Sequence, residues 1–319
     1  MGIKLFSAGL IVSGCLPIAS YAEPFTVRDL NPLLSGFEFS TPLSGTNARQ
    51  NIVDLSYAIS NITLDQQPGN EHLIADAELR RWQLTTSHPL GPNWTIQIDL
   101  PYQSISGGSL DTFIEHFHST FNLPNGNRAS WPHNRLLVDY SVADQSLFHL
   151  TNAHAGIGDT AIHAGWRFAS STSQSAMLWF TAKMPTGNAK SLTGSGTTDA
   201  TISLAAQQHL SNDINFFEQL TLSWLGNGAR LSDEQKHSVW SCMTGLSWSL
   251  THSIDTTFQL NSHSAIYASN VRMLGNATQF TIGPRYHSAQ WQAWLAITED
   301  IVVDTAPDVQ FQFSVSHSF

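Results

Sequence analysis

Charge is scarce in this sequence. Lys, Arg, Asp and Glu make up only 12% of the 319 residues, 14 basic against 24 acidic, for a formal net charge of −10. So few charges, mostly acidic, exclude a basic nucleic-acid binder, and 41% hydrophobic content excludes a disordered chain. Cysteine is nearly missing: Cys15 and Cys242 are the two, too few for a disulfide framework or a thiolate metal site. Long apolar runs are also lacking, since no stretch approaches the ~20 apolar residues of a membrane helix.

What is present begins with Lys4 and an apolar stretch from Leu5 to Ile18, closing on Ser20-Tyr21-Ala22 before Glu23. This predicts a signal peptide over 1–22 and an exported chain. Val12-Ser13-Gly14-Cys15 offers an alternative, lipidation at Cys15. The apolar character runs on past Cys15 to the small-x-small site, which favours cleavage after Ala22.

Aromatics are plentiful, with 10 Trp and 17 Phe, yet mean hydropathy is only −0.11. That combination suits strands with one face to lipid and the other to a polar lumen. Period-2 alternation supports it. Trp94, Ile96, Ile98, Leu100 and Tyr102 alternate with Thr95, Gln97, Asp99 and Pro101, and similar segments surround Trp166 and Trp248. The sequence reads as all-β: a transmembrane antiparallel up-and-down β-barrel of about 12 strands over 51–319, with a long extracellular loop carrying a short helix. The expected strands are 51–60, 78–88, 93–103, 159–169, 175–184, 198–208, 214–225, 238–250, 254–264, 278–287, 290–300 and 307–319. Short turns then alternate with longer loops, the bacterial outer-membrane pattern with both termini in the periplasm.

One hairpin sets an expected register, with Thr86 opposite Ile96, Leu84 opposite Ile98, Gln83 facing Asp99 and Arg81 diagonal to Asp99 in charge-pair reach. Glu218 falls on the apolar face between Phe216 and Leu220, which points to a bulge, a boundary error or a headgroup-level position. In the 104–158 insertion, Ser109 can cap a helix with Leu110, Phe113, Ile114, Phe117 and Phe121 on one face, followed by a hairpin over 136–142 and 147–150. Structured loops of this length are usually lids, plugs or binding elements. The segment 23–50, apolar and proline-punctuated, is left over by strand parity and is either a plug or a wall strand.

Val309, Phe311, Phe313, Val315, His317 and Phe319 alternate with Gln310, Gln312, Ser314, Ser316 and Ser318. This resembles the closing strand of outer-membrane barrels, and the resemblance implies that Phe319 is the terminal aromatic read by barrel-assembly machinery. Gly156-Ile157-Gly158-Asp159, Lys183-Met184-Pro185-Thr186-Gly187 and Gly194-Ser195-Gly196 are similar, over about a quarter of the chain, to barrels grouped with phenol-degradation outer-membrane proteins. Gly108 to Arg128, with Asp111, Ile114, Glu115, Phe117, His118, Phe121 and Arg128, resembles an uncharacterised proteobacterial outer-membrane-type family, the domain of unknown function 3187. That resemblance covers most of the mature chain and implies no activity; it singles out Asp111, Glu115, His118 and Arg128 in the loop helix.

Fourteen histidines raise the question of a metal, but His116 and His118, two apart on a helix, point about 200° from each other and cannot share an ion. His209-Leu210-Ser211-Asn212 has the spacing of the outer-membrane phospholipase, yet it falls on an expected turn, where Ser-Asn-Asp is ordinary chemistry. No metal, cofactor or catalytic residue is expected, and the chain does not read as an enzyme. The expected lumenal groups are Arg81, Asp99, His163, Arg167, Lys183 and Arg285, either selectivity groups of a wet, cationic pore or a satisfied network filling it. Two functions follow: a passive channel for small hydrophobic or anionic solutes gated by the 104–158 loop, or a plugged, non-transporting envelope barrel. Outer-membrane lipids, the assembly machinery and a small solute are the expected partners, with no nucleic acid.

Overall fold

The computed structural model of the protein describes residues 23–121, 130–228 and 231–319. The expected signal peptide with Cys15, as well as Arg128 and the side chain of His118, lies outside the described residues.

Alternating apolar and polar residues of the kind seen around Trp94 cannot bury both faces in a layered fold, and closure into a barrel resolves this by separating them. Twelve strands close the wall: β1 (Ile52–Gln66), β2 (Glu71–Pro89), β3 (Trp94–Ser106), β7 (Thr160–Ser170), β8 (Gln174–Met184), β9 (Asp199–His209), β10 (Ile214–Leu225), β11 (Ser238–Ser249), β12 (Ile254–His263), β13 (Ala277–His287), β14 (Trp291–Asp300) and β15 (Val309–Ser318). Each pairs antiparallel with its chain neighbours, and β1 pairs with β15 from Ile52↔Ser318 to Asn61↔Val309 to shut the ring. Phe319 and Asn51 exchange backbone hydrogen bonds at 3.0 and 3.2 Å at this seam.

Three short strands extend the wall beyond the ring. β4 (Leu137–Val142) pairs with the outer end of β2, β5 (Gln145–Leu150) pairs with β4, and β6 (His154–Ile157) pairs with the outer end of β3. β1 and β2 themselves run past the lengths that a membrane requires. Their inward Ile62, Leu64, Leu73, Ala75 and Ala77 are all buried, so apolar contact carries the pairing well above the lipid band, where the sequence suggested a loop.

The β2–β3 register differs from expectation by two residues. Thr86 faces Ile98, Leu84 faces Leu100, Thr85 faces Asp99, and Gln83 faces Pro101. A two-residue slip keeps every side chain on its own face, so alternation alone could not detect it. The strands run on to Pro89 before a tight turn, and that turn sets the register. Arg81 consequently lies opposite Gln103 rather than diagonal to Asp99.

The long insertion carries helix α1 (Asp111–Phe121). The expected cap is corrected. Glu78 of β2, not Ser109, accepts the backbone N–H groups of Ser109 and Leu110 at 2.8 and 3.1 Å, while the Ser109 hydroxyl accepts from Arg80 at 3.3 Å. A carboxylate at a helix N-terminus satisfies free amides and the macrodipole together. Asp111 accepts from Asn61 at 3.2 Å and from the Asn134 amide at 2.8 Å. Asn61 and Glu78 are paired neighbours on the outer face of β1 and β2. Just below them lies an outward aromatic group, Tyr57, Trp82 and Phe313, and Phe113 of α1 meets Phe311 edge-on at 5.5 Å. The helix therefore lies against the outside of the wall above an aromatic girdle, not over the lumen.

Candidate functional site: the occupied lumen

Pro24, Pro32 and Pro42 deny segment 23–50 the regular donor row of a strand, and the segment enters the barrel instead of joining the wall. Among the described residues no backbone-to-backbone hydrogen bond links it to a wall strand. It runs from Glu23 at the short-turn end up to a turn at Asn31–Phe37, then back down to Asn47 beside Pro92.

Wall side chains take over the backbone satisfaction that strand pairing would give. Gln259 accepts from the Phe25 amide at 2.9 Å and donates to its carbonyl at 3.1 Å. Gln219 accepts from the Leu43 amide at 2.7 Å and donates to the Thr41 carbonyl at 2.9 Å. Trp179 donates to the Ser44 carbonyl at 2.8 Å and Ser241 donates to that of Phe39 at 2.5 Å. Lumenal glutamines thus act as single-residue substitutes for a β-ladder.

At the extracellular end the contact is apolar. Leu30, Leu33, Leu34, Phe37 and Phe39 pack with Ile62, Leu79, Tyr140, Leu192, Ile266, Tyr267 and Met273 in one buried cluster. Each fully buried Leu or Phe contributes about 1.5–3 kcal/mol over exposure, so this end is a dry core. Toward the middle, the gap lined by Asp29, Ser40, Gln219, Ser241 and His263 measures about 10 Å³, room for about one water.

The charged groups fall as follows. Lys183 is 2% exposed; it donates to Asp159 at 2.7 Å, the Gly36 carbonyl at 3.0 Å and Ser195 Oγ, and forms an ion pair with Asp199 at 2.9 Å. His163 meets Asp99 at 3.3 Å and Thr181 at 2.8 Å, and Asp99 also accepts from Thr85 at 2.9 Å. Arg81 bonds Gln83 and Gln103 at 2.8 Å each. Arg285 is 1% exposed, opposite Asp255 in the ladder, with its guanidinium 5.0 Å from the Phe25 ring. Arg167 is not in the lumen's interior; it braces the β2–β3 turn through the Pro92 carbonyl at 2.6 Å and Asn93 at 3.1 Å. Of the loop-helix residues, Asp111 holds α1 to the wall as described, and Glu115 meets His133 at 3.1 Å.

The interior is not cationic, because the acids Asp54, Asp159, Asp199 and Asp255 face inward too and segment 23–50 brings in Asp29 and Glu38. Arg28 pairs with Glu38 at 2.8 Å, and His263 with Asp29 at 3.0 Å. Alternation does not assign a face to Asp199, which opens β9, or to Asp159, which immediately precedes β7, and it does not reach Arg28, Asp29 and Glu38 of segment 23–50.

The glycine motifs meet at one place. Asp159 accepts from Gly187 and Ser195 amides at 2.8 and 2.9 Å, and Thr186 donates to the Gly158 carbonyl at 2.7 Å. A Cβ on Gly36 would stand 2.6 Å from Ser195 N and 2.7 Å from Gly194 C. The Gly-x-Gly-Asp, Pro-Thr-Gly and Gly-Ser-Gly stretches therefore build the cradle in which the turn of segment 23–50 is seated.

The fold is that of outer-membrane barrels. The COG4313 outer membrane channel from Pseudomonas putida F1 superposes with a TM-score of 0.58 at 12% identity, covering 88% of this chain and 98% of that one. The NanC porin gives 0.50 at 9% identity, covering 84% and 100%. No curated protein matches the sequence. Residues 16–319 match the model of one family, and the chain belongs to it: the Protein of unknown function (DUF3187) family.

Proposed function

We propose that this protein is an outer-membrane channel held shut by its own N-terminal segment, a plug of residues 23–50, and that small solutes cross when the plug shifts. The observation that carries the reading is the plug's attachment: every plug-to-wall hydrogen bond given above uses a side chain. It can leave without breaking one rung of the barrel. The extracellular apolar cluster makes the resting state closed. Loop 104–158 plays no gating part in this reading, because α1 is fastened to the outer wall through Glu78 and Asn61.

Mature protein refolded into planar bilayers tests this, with folding checked by heat-modifiable gel migration. The wild type should be closed nearly all the time, removal of 24–47 should give steady conductance, and removal of 109–121 should change nothing. A wild type as conductive as the plug deletion would sink the closed state. Silence in every folded variant would replace the channel with a non-transporting envelope barrel.

We also propose that the signal peptide directs export and that Phe319 marks the closing strand for the assembly machinery. Its side chain is 60% exposed at the barrel seam. Deleting Phe319 should reduce the membrane level several-fold with periplasmic degradation, while Ser318→Ala should not; equal levels by immunoblot would remove that role.

A further inference from the structure

The outer face of β10 carries one carboxylate among apolar side chains. Phe216, Glu218, Leu220, Leu222 and Trp224 alternate outward, and Glu218 is exposed. The register of β10 with β9 and β11 is unbroken, so no bulge excuses it; Glu218 stands opposite Ala206 and Thr244. At the short-turn rim Ile214 faces Trp248, then Phe216 faces Leu246, so Glu218 lies two rows inward from the rim. An ionisable group facing hydrocarbon at that depth is costly and points to a partner.

The surroundings suggest which partner. Outward aromatics ring the rim elsewhere: Trp94, Trp166, Trp248, Tyr286, Trp291 and Phe319 are all exposed. β8 and β9 interrupt this girdle with the directly paired Gln174 and Gln208, followed by the small pair Ala176 and Ala206. The result is a groove of about 340 Å³ lined by these four residues, Ser170, Phe216 and Glu218, with no basic side chain in it.

We propose that this groove binds a phospholipid of the periplasmic leaflet through an ammonium head group. A primary ammonium has three donors and no acceptor, matching the Glu218 carboxylate and the carboxamide oxygens of Gln174 and Gln208. Where the aromatic belt is missing the head group can descend beside the wall, and the two alanines leave room for its glycerol. An anionic head group without the amine would meet only repulsion from Glu218.

Native mass spectrometry of the detergent-solubilised mature protein, titrated with phosphatidylethanolamine or phosphatidylglycerol, tests the assignment. The wild type should retain one phosphatidylethanolamine with roughly tenfold preference. Glu218→Gln should erase the preference, Ala206→Phe should reduce retention of that lipid, and Glu218→Lys should turn the preference toward phosphatidylglycerol. Equal retention of both lipids by the wild type, or an unchanged preference in Glu218→Gln, overturns the proposal. A protein dimer that depends on Glu218 and forms without lipid overturns it in favour of a second copy.

Discussion

Lys183→Met is expected to lower the stability of the folded barrel by roughly 3–5 kcal/mol, the range for removing one partner from a buried ion pair. The effect belongs at the top of that range because one ammonium serves two buried carboxylates, Asp159 and Asp199, both within 3 Å. Methionine fills a similar volume, so the loss is electrostatic and not a cavity. The same lysine donates to the Gly36 carbonyl, and its removal should loosen the plug as well as the wall. Urea unfolding in lipid vesicles can read the change through Trp179, which is buried beside the plug. The triple variant Lys183→Met, Asp159→Asn, Asp199→Asn should recover much of the loss, since neutral amides need no counter-charge. A shift below about 1 kcal/mol for the single variant, or no recovery in the triple, would show that the network does not hold the structure.

The barrel was legible in the sequence because its wall obeys one rule, alternation, in every strand. Trp94 to Tyr102 and Val309 to Phe319 announce a lipid face without reference to anything distant. Register was not legible: sliding β2 on β3 by two residues preserves every face, and only the closing of the turn after Pro89 decides it. The cap of α1 was missed for a related reason. Ser109 satisfies the local rule, but Glu78 is about thirty residues earlier in the chain and reaches the helix only once β2 is in place. In the lumen, Lys183 is legible as inward from alternation. Its significance is not, because the groups that complete it are Asp159 and Asp199, at the edges of their strands, and the turn of segment 23–50, which has no periodicity. The glycine motifs were visible as a resemblance; that they cradle the plug follows only from the approach of two backbones at Gly36 and Gly194.

That approach gives the second large effect. Gly36→Val should prevent the plug from seating, because its Cβ would stand 2.6 Å from Ser195 N and 2.7 Å from Gly194 C. Both obstacles are backbone atoms, and Ser195 N is fixed by its own hydrogen bond to Asp159 at 2.9 Å, so neither can turn aside as a side chain would. The strain must be relieved by withdrawing the plug turn, which also exposes Leu33, Leu34 and Phe37 from their cluster. Losing three such burials is worth several kcal/mol, enough to shift the plug from mostly seated to mostly displaced without touching any rung of the wall. Protease added from the short-turn side should then trim the plug while the barrel core resists, and bilayer conductance should appear in the same preparation. Gly156→Ala is the matched control, since a Cβ there meets only Thr193 at 3.8 Å, an ordinary contact. If Gly36→Val resists trimming as well as Gly156→Ala does, the Gly36 contact does not govern seating. If it is trimmed but stays silent, the barrel is sealed without the plug, and the closed state must be assigned to the wall side chains and loops that remain.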